Sequence, residues 1–368
     1  MTSATPPFRA DHVGSFLRPE ALKQARARRA KGEIAAAELT EVEDREIAAL
    51  IRKQEEIGLA LASDGEFRRS WWQFDFFGML DGIELFEADQ GIQFQGVKTR
   101  PIGTRVNGRI GFSHHPFVEH FKFLKAHTRV VPKMTIPSPT VLHFRLEAGS
   151  VDRGVYPHPD DIFDDLSKAY RDAVRAFYDA GCRYLQFDDT AWAYLCSAEA
   201  MAKARARGVN TDTVVRDYAA VINAALAGKP NDMVITTHVC RGNFRSTWIA
   251  SGGYEPVAEV LFGGTDYDGY FLEYDSARAG GFEPLRFVPK GAKKVVLGLI
   301  TSKSGMLEGK DEIKRRIDEA SAFVALDQCC LSPQCGFAST EEGNTLTEDQ
   351  QWAKMREVIE IAGEVWGQ

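Results

Sequence analysis

The sequence predicts an α/β fold, a (β/α)8 TIM barrel carrying an N-terminal helical segment and an inserted β-hairpin, as one domain over residues 1–368. Three features carry that expectation. About eight apolar runs of strand length alternate, mainly, with segments of helical spacing. The length falls within the range of such barrels. Polar and ligand-type residues (Ser15, Glu66, Asp188, His238, Glu273, Lys303, Cys335) recur where the runs end. A closed barrel gathers strand ends at one mouth, whereas an open doubly wound sheet, the rival architecture, spreads them along a crest.

In chain order, residues 7–15 read as a short strand ending at Gly14-Ser15, and Pro19 suits the opening of a helix. From about residue 20 to 57, residues rich in Ala, Glu, Lys and Arg have helical spacing, with Gly32 dividing them into two helices whose charges face solvent. Residues 59–64 form the next strand, closing on Gly65-Glu66, and the aromatic stretch 71–77 is expected to be a helix whose rings belong to the core. Alternating residues with turn signals such as Asn107-Gly108 place the inserted hairpin at about 91–112. A strand at 129–136 then leads to Pro137-Ser138-Pro139. Beyond it the pattern becomes regular: a helix at about 160–180, a strand at 184–189, a helix at about 211–226 and a strand running into His238. Residues 254–260 lead to the strand around Glu273, and 293–300 is another strand. A helix at about 310–322, the run through Cys335 and a closing helix at 348–366 complete the alternation.

Hydrophobic residues make up 44% of the chain and charged residues 26%, the balance of a soluble globular protein. No apolar stretch approaches the roughly 20 residues of a membrane-spanning helix. The N-terminus, Met-Thr-Ser-Ala-Thr-Pro-Pro, lacks the basic-then-apolar pattern of a secretion signal, so a cytoplasmic location is expected. A formal net charge of −7 argues against a general nucleic-acid binder, and small molecules are the expected partners, with no membrane; homo-oligomerisation stays open. Six cysteines scattered over the chain read as thiols, metal ligands or core residues.

His238 and Cys240 stand two apart at the end of an apolar run, so on a strand they face the same side and can share an ion. Imidazole with thiolate favours zinc. An isolated His-x-Cys is more often a buried histidine beside an inert cysteine, so further ligands decide the matter. Glu273 and Cys335, each just past the end of its own strand, would complete four ligands of types that zinc accepts. Adjacent Cys329 and Cys330 face opposite ways and are assigned to the core. Two thiolates and a carboxylate already outweigh the charge of the ion, which makes it a poor Lewis acid for hydrolysis. It is better suited to binding another sulfur, and the chemistry points to alkyl transfer to a thiol, with Glu273 as the weakest-held ligand. The motifs of dinucleotide, nucleotide and serine-hydrolase sites are absent from the sequence.

Gly14-Ser15-Phe16, Gly65-Glu66, Leu185-Gln186-Phe187-Asp188-Asp189, Thr237-His238-Val239-Cys240, Leu272-Glu273 and Pro333-Gln334-Cys335-Gly336 together resemble cobalamin-independent methionine synthase, in its catalytic C-terminal barrel, along nearly the whole chain. The resemblance implies a Zn2+ ion held by His238, Cys240, Glu273 and Cys335, with homocysteine bound as a zinc thiolate. It also implies a methyl group arriving from 5-methyltetrahydrofolate, in polyglutamate form, to give methionine. Ser15, Glu66 and Asp188, with Asp189 beside it, are then the substrate-binding residues: carboxylates suit an ammonium group and a serine hydroxyl suits a carboxylate. Two departures stand out. Full-length members carry a second, N-terminal barrel that helps to bind the folate, for which 368 residues leave no room. The family's strand-seven histidine, credited with proton relay, is replaced by Lys303, whose ordinary pKa of ~10.4 suits that task only if burial lowers it. Lys303 and Asp188 are the expected catalytic residues. The alternatives are another thiol acceptor, a methylcorrinoid or epoxide donor, or a non-catalytic zinc- or thiol-binding barrel.

Overall fold

The computed structural model describes residues 5–89, 91–94 and 97–367. Its strands are β1 (Leu61–Ala62), β2 (Asp81–Glu87), β3 (Gln93–Phe94), β4 (Val97–Lys98), β5 (Ile102–Gly111), β6 (Val131–Pro137), β7 (Tyr184–Asp189), β8 (Val234–Val239), β9 (Gly269–Glu273), β10 (Lys294–Ile300) and β11 (Cys329–Pro333). Strands β1 and β6 to β11 pair in parallel, in the order β1-β6-β7-β8-β9-β10-β11. Near-continuous apolar sequences such as Val295-Val296-Leu297 suit strands covered on both faces, as parallel strands are. The result is an α/β fold with a curled parallel sheet, a half-barrel of the TIM-barrel kind.

The N-terminal segment touches both edges of that sheet. Ala10 bridges Leu331 of β11 in parallel, while the backbone N–H of Phe16 donates to the carbonyl of Gly65, just past β1. The strand expected at 7–15 is therefore reduced to one bridge. Asp11 explains why: its carboxylate, itself buried, accepts the backbone N–H groups of Phe8 and His12. It also receives the Lys133 ammonium at 3.0 Å and the Tyr184 hydroxyl at 2.9 Å. Donors turned onto a side chain are lost to the ladder.

The two N-terminal helices form at Glu20–Ala30 and Ala36–Glu56, with Gly32 in a left-handed turn between them. The helix Ile162–Asp179 buries Ile162, Leu166, Ala169, Tyr170, Ala173 and Phe177, a stripe of three- and four-residue steps facing the sheet layer. Helices Val214–Leu226, Lys310–Ser321 and Glu348–Trp366 match the expected spans, the last starting at a capping box between Thr347 and Gln350. Helices Pro116–His127, Pro139–Arg145 and Ala198–Ala206 are additional to the sequence-based reading. The first two start at a proline, a residue that suits an N-terminal turn as well as a loop.

The inserted hairpin starts earlier than the expected 91–112: β2 pairs antiparallel with β5, from Asp81 opposite Gly111 to Glu87 opposite Ile102. The Asn107-Gly108 turn signal lies within β5, beside a register shift, rather than at the hairpin's tip. Part of the expected span falls on residues 95 and 96, outside those described.

One apolar cluster extends from Phe8 to Ile361. Trp71, Phe74 and Phe244 form a second, smaller one against which Ile92, Phe94 and Ile102 of the insertion pack, while Phe76 and Phe77 belong to the main core as expected. Among the described residues, no helix is long and apolar enough to cross a membrane.

Candidate metal centre

Parallel strands end on the same side of the sheet, and four ligand-type side chains meet there. His238 is next to last in β8, in register with Asp188 of β7 and Phe271 of β9. Cys240 follows immediately, its N–H donating to the Asp189 carbonyl. Glu273 closes β9, and Cys335 stands two residues beyond β11. All four are buried, and one ligand atom from each lies within 4.8 Å of the others. The Cys240 and Cys335 sulfurs are 3.7 Å apart. Two thiolates bound at ~2.3 Å to a tetrahedral zinc stand about 3.8 Å apart, so this edge of the site already has the spacing a zinc ion requires. The donor set of two sulfurs, an imidazole and a carboxylate suits zinc and not the oxygen-seeking magnesium or calcium. The residues present therefore fit that ion.

Glu273 is held from behind. One carboxylate oxygen accepts the backbone N–H of Arg241 at 2.7 Å, and the other meets Arg278 at 3.2 Å and lies 4.0 Å from the Lys303 ammonium. Burial pushes its carboxyl above the ordinary range, with Lys303 pulling the other way. Cys335 is held well below the ordinary thiol range by hydrogen bonding from Cys240 and by His238, against the effect of burial; Cys240 is correspondingly raised. His238 lies above its usual value because the thiol of Cys335 and nearby negative charge outweigh burial.

Beside this cluster lies a cleft lined by Ser15, Glu66, Asp188, His238, Cys240 and Cys335 among others. Three of the expected substrate-binding residues thus share one wall system with three of the expected ligands. Ser15 comes close because Gly336 has no side chain: a Cβ there would stand 2.0 Å from the Ser15 hydroxyl. Gly14 likewise leaves room for the Glu66 carboxylate, which a Cβ would meet at 2.9 Å. Glu66 itself sits at φ 59, a left-handed conformation unusual outside glycine and of the kind that functional sites retain. Asp188, half-buried, accepts from Gln186 at 2.7 Å, and burial raises its carboxyl to about 7, with His238 opposing and Glu66 adding to the shift.

Two expected residues stand apart from that cleft. Asp189 faces the other side of β7, as adjacent strand residues must, and its fully buried carboxylate accepts the Thr140 hydroxyl at 2.5 Å and the Ala191 N–H at 2.8 Å. Those contacts hold its carboxylate away from the cleft. Lys303 does not line it and stands 4.0 Å from Glu273; its nitrogen is buried with no hydrogen-bond partner among the described residues.

Sequence reasoning missed several lining residues. Arg69 donates to Glu66 at 2.5 Å, pairing one of its oxygens; the i, i+3 spacing was the available signal. Asn243 donates its amide to the Gly336 carbonyl at 2.8 Å, and its own buried oxygen has no hydrogen-bond partner among the described residues. Trp71 and Trp72 line the same cleft.

Residues 8–362 match the family described as the catalytic domain of the cobalamin-independent synthases. The chain is 54% identical to the uncharacterized protein YxjG of Bacillus subtilis (strain 168), over 98% of this chain and 95% of that one. It superimposes on the crystal structure of a putative vitamin-B12 independent methionine synthase from Listeria monocytogenes with a TM-score of 0.80 and 45% identity, covering 98% and 99% of the two chains. It is 22% identical to the 5-methyltetrahydropteroyltriglutamate--homocysteine methyltransferase of Listeria welshimeri, over 95% of this chain but 42% of that enzyme.

Proposed function

The chain belongs to the cobalamin-independent methionine synthase family, through its catalytic domain, and we propose that it transfers a methyl group from 5-methyltetrahydrofolate, in its polyglutamate form, to the sulfur of homocysteine, giving methionine. The observation that carries this reading is the convergence of His238, Cys240, Glu273 and Cys335 beside a cleft that presents Ser15, Glu66 and Asp188. The architecture proposed with it is a one-domain (β/α)8 barrel, supported by the N-terminal segment that bridges β11 and reaches the β1 edge.

When bound by the four ligands, zinc supplies the means of keeping a thiol deprotonated near neutral pH. Asp188 and the free oxygen of Glu66 receive the ammonium group of homocysteine, and the Ser15 hydroxyl receives its carboxylate, which together aim the sulfur at the cluster. Asn243 offers one more acceptor on the same wall. In the transfer, the sulfur–carbon bond forms as the donor's nitrogen–carbon bond breaks, and the departing amine needs a proton. Lys303, whose ammonium stands 4.0 Å from Glu273, is the proposed source.

A methyl-transfer assay on zinc-loaded protein, crossing several thiols with methyl-folate, methylcobalamin and an epoxide, tests the reading. Methionine should form from homocysteine and methyl-folate. Lys303→Met should lower that turnover by roughly 10²-fold, the scale of losing a general acid, while leaving zinc content unchanged. Undiminished turnover would remove Lys303 from the mechanism. Methionine formed from methylcobalamin but never from methyl-folate would replace the donor and leave the acceptor in place.

A further inference from the structure

Alternate residues of β7 hold the N-terminal segment. The Tyr184 hydroxyl donates to the Asp11 carboxylate at 2.9 Å, and the Gln186 amide donates to the Val13 carbonyl at 2.7 Å, each pair 173 residues apart. The next step of two along both segments is Ser15 with Asp188, the same number of residues apart and both in the wall of the metal-centre cleft. Gln186 links these last two steps. The amide nitrogen that holds Val13 also donates to the Asp188 carboxylate at 2.7 Å, which engages one oxygen and leaves the other for a ligand. Strand alternation puts Tyr184, Gln186 and Asp188 on one face of β7, with Leu185 and Phe187 on the other. Gln186 is fully buried and does not line the cleft, and its own carbonyl oxygen has no hydrogen-bond partner among the described residues. An unpaired buried acceptor costs stability, so packing alone would be served better by an apolar side chain of the same size. What the amide supplies, and an apolar chain cannot, is its pair of donors.

We propose that Gln186 is a positioning residue for the thiol acceptor. Its amide fixes the Asp188 carboxylate relative to the segment that carries Ser15, and so sets the spacing between the groups that receive the two charged ends of an amino-acid thiol. A neutral amide suits that task, because it orients the carboxylate without cancelling its charge, which is left for the incoming ammonium. A lysine or arginine in its place would form the ion pair itself. Selectivity for thiols that carry an ammonium is thereby built beneath the cleft as well as in its wall. The inference rests on the reading of Asp188 and Ser15 as contacts for the ammonium and carboxylate of the acceptor.

The test is a calorimetric titration of full-length, zinc-loaded protein with homocysteine and with 2-mercaptoethanesulfonate, in wild type, Gln186→Met, Asp188→Asn and the double variant. Gln186→Met is close to isosteric but has no donors. It should weaken homocysteine about tenfold, the scale of one hydrogen bond to a charged group, and change 2-mercaptoethanesulfonate less than about twofold, with zinc content and circular dichroism as in wild type. Added to Asp188→Asn, it should weaken homocysteine by less than about a further twofold, because both changes remove one linked interaction. Gln186→Glu keeps the size and polarity of the side chain while removing both donors at neutral pH, and should reproduce the contrast if methionine disturbs the fold. An equal loss of both probes marks Gln186 as a packing residue and overturns the inference. So does a comparable further loss in the Asp188→Asn background, or no loss at all in Gln186→Met. Asp188→Asn alone keeps the two readings separable. Unchanged affinity for homocysteine in that variant removes the ammonium contact and this inference with it, whereas a loss there with none in Gln186→Met removes this inference only.

Discussion

Purified Cys240→Ser and Cys335→Ser proteins are expected to lose the tightly bound zinc that the wild type carries at about one ion per chain, whereas Cys330→Ser keeps it. The geometry separates the three cysteines. Cys240 and Cys335 bring their sulfurs to 3.7 Å beside His238 and Glu273, while the Cys330 thiol meets the carbonyl of Pro7 at 3.7 Å near the start of β11. Serine keeps the size of the side chain but offers a neutral hydroxyl where the ion takes a thiolate. Metal analysis after dialysis against a chelator reads the outcome, and circular dichroism shows whether the fold is retained. Full occupancy in either of the first two variants would mean that the ligand set is wrong.

The second large effect concerns the acceptor. Homocysteine should bind far more tightly than 2-mercaptoethanesulfonate, which offers a thiol and an anionic end but no ammonium. Without that ammonium, Asp188 and the free oxygen of Glu66 remain as unpaired carboxylate groups, at about 1–3 kcal/mol each. Asp188→Asn should therefore weaken homocysteine by roughly tenfold or more and change mercaptoethanesulfonate little. Glu66→Gln should have the smaller effect, because Arg69 already pairs with one of its oxygens at 2.5 Å. Calorimetric titration of zinc-loaded protein measures both. Equal affinity for the two thiols would move the acceptor from homocysteine to another thiol.

The elements legible in the sequence are those with a strong local rule. Strands β6 to β11 announce themselves as apolar runs closed by Gly, Asp or Pro, and the helices Ile162–Asp179 and Glu348–Trp366 by periodicity and caps. The ligand cluster was legible for a related reason. The two-residue step from His238 to Cys240 fixes a common face, and parallel strands put Glu273 and Cys335 at the same end of the sheet. What escaped depended on distant partners. Asp11 takes backbone donors away from the expected first strand and pairs with Lys133, 122 residues away, a contact no local pattern encodes. The hairpin's first strand was overlooked because its partner β5 lies beyond an intervening loop, and Asn107-Gly108 drew attention to a turn that is a register shift within β5. Asp189 shared a motif with Asp188, but alternation along β7 turned it toward Thr140.

The central claim, that this cluster receives the thiol of homocysteine, is tested most directly by zinc-edge X-ray absorption on the wild-type protein with and without homocysteine. The account predicts two sulfur neighbours, from Cys240 and Cys335, in the protein alone and three with homocysteine present, at about 2.3 Å. An unchanged sulfur count at saturating homocysteine would contradict it.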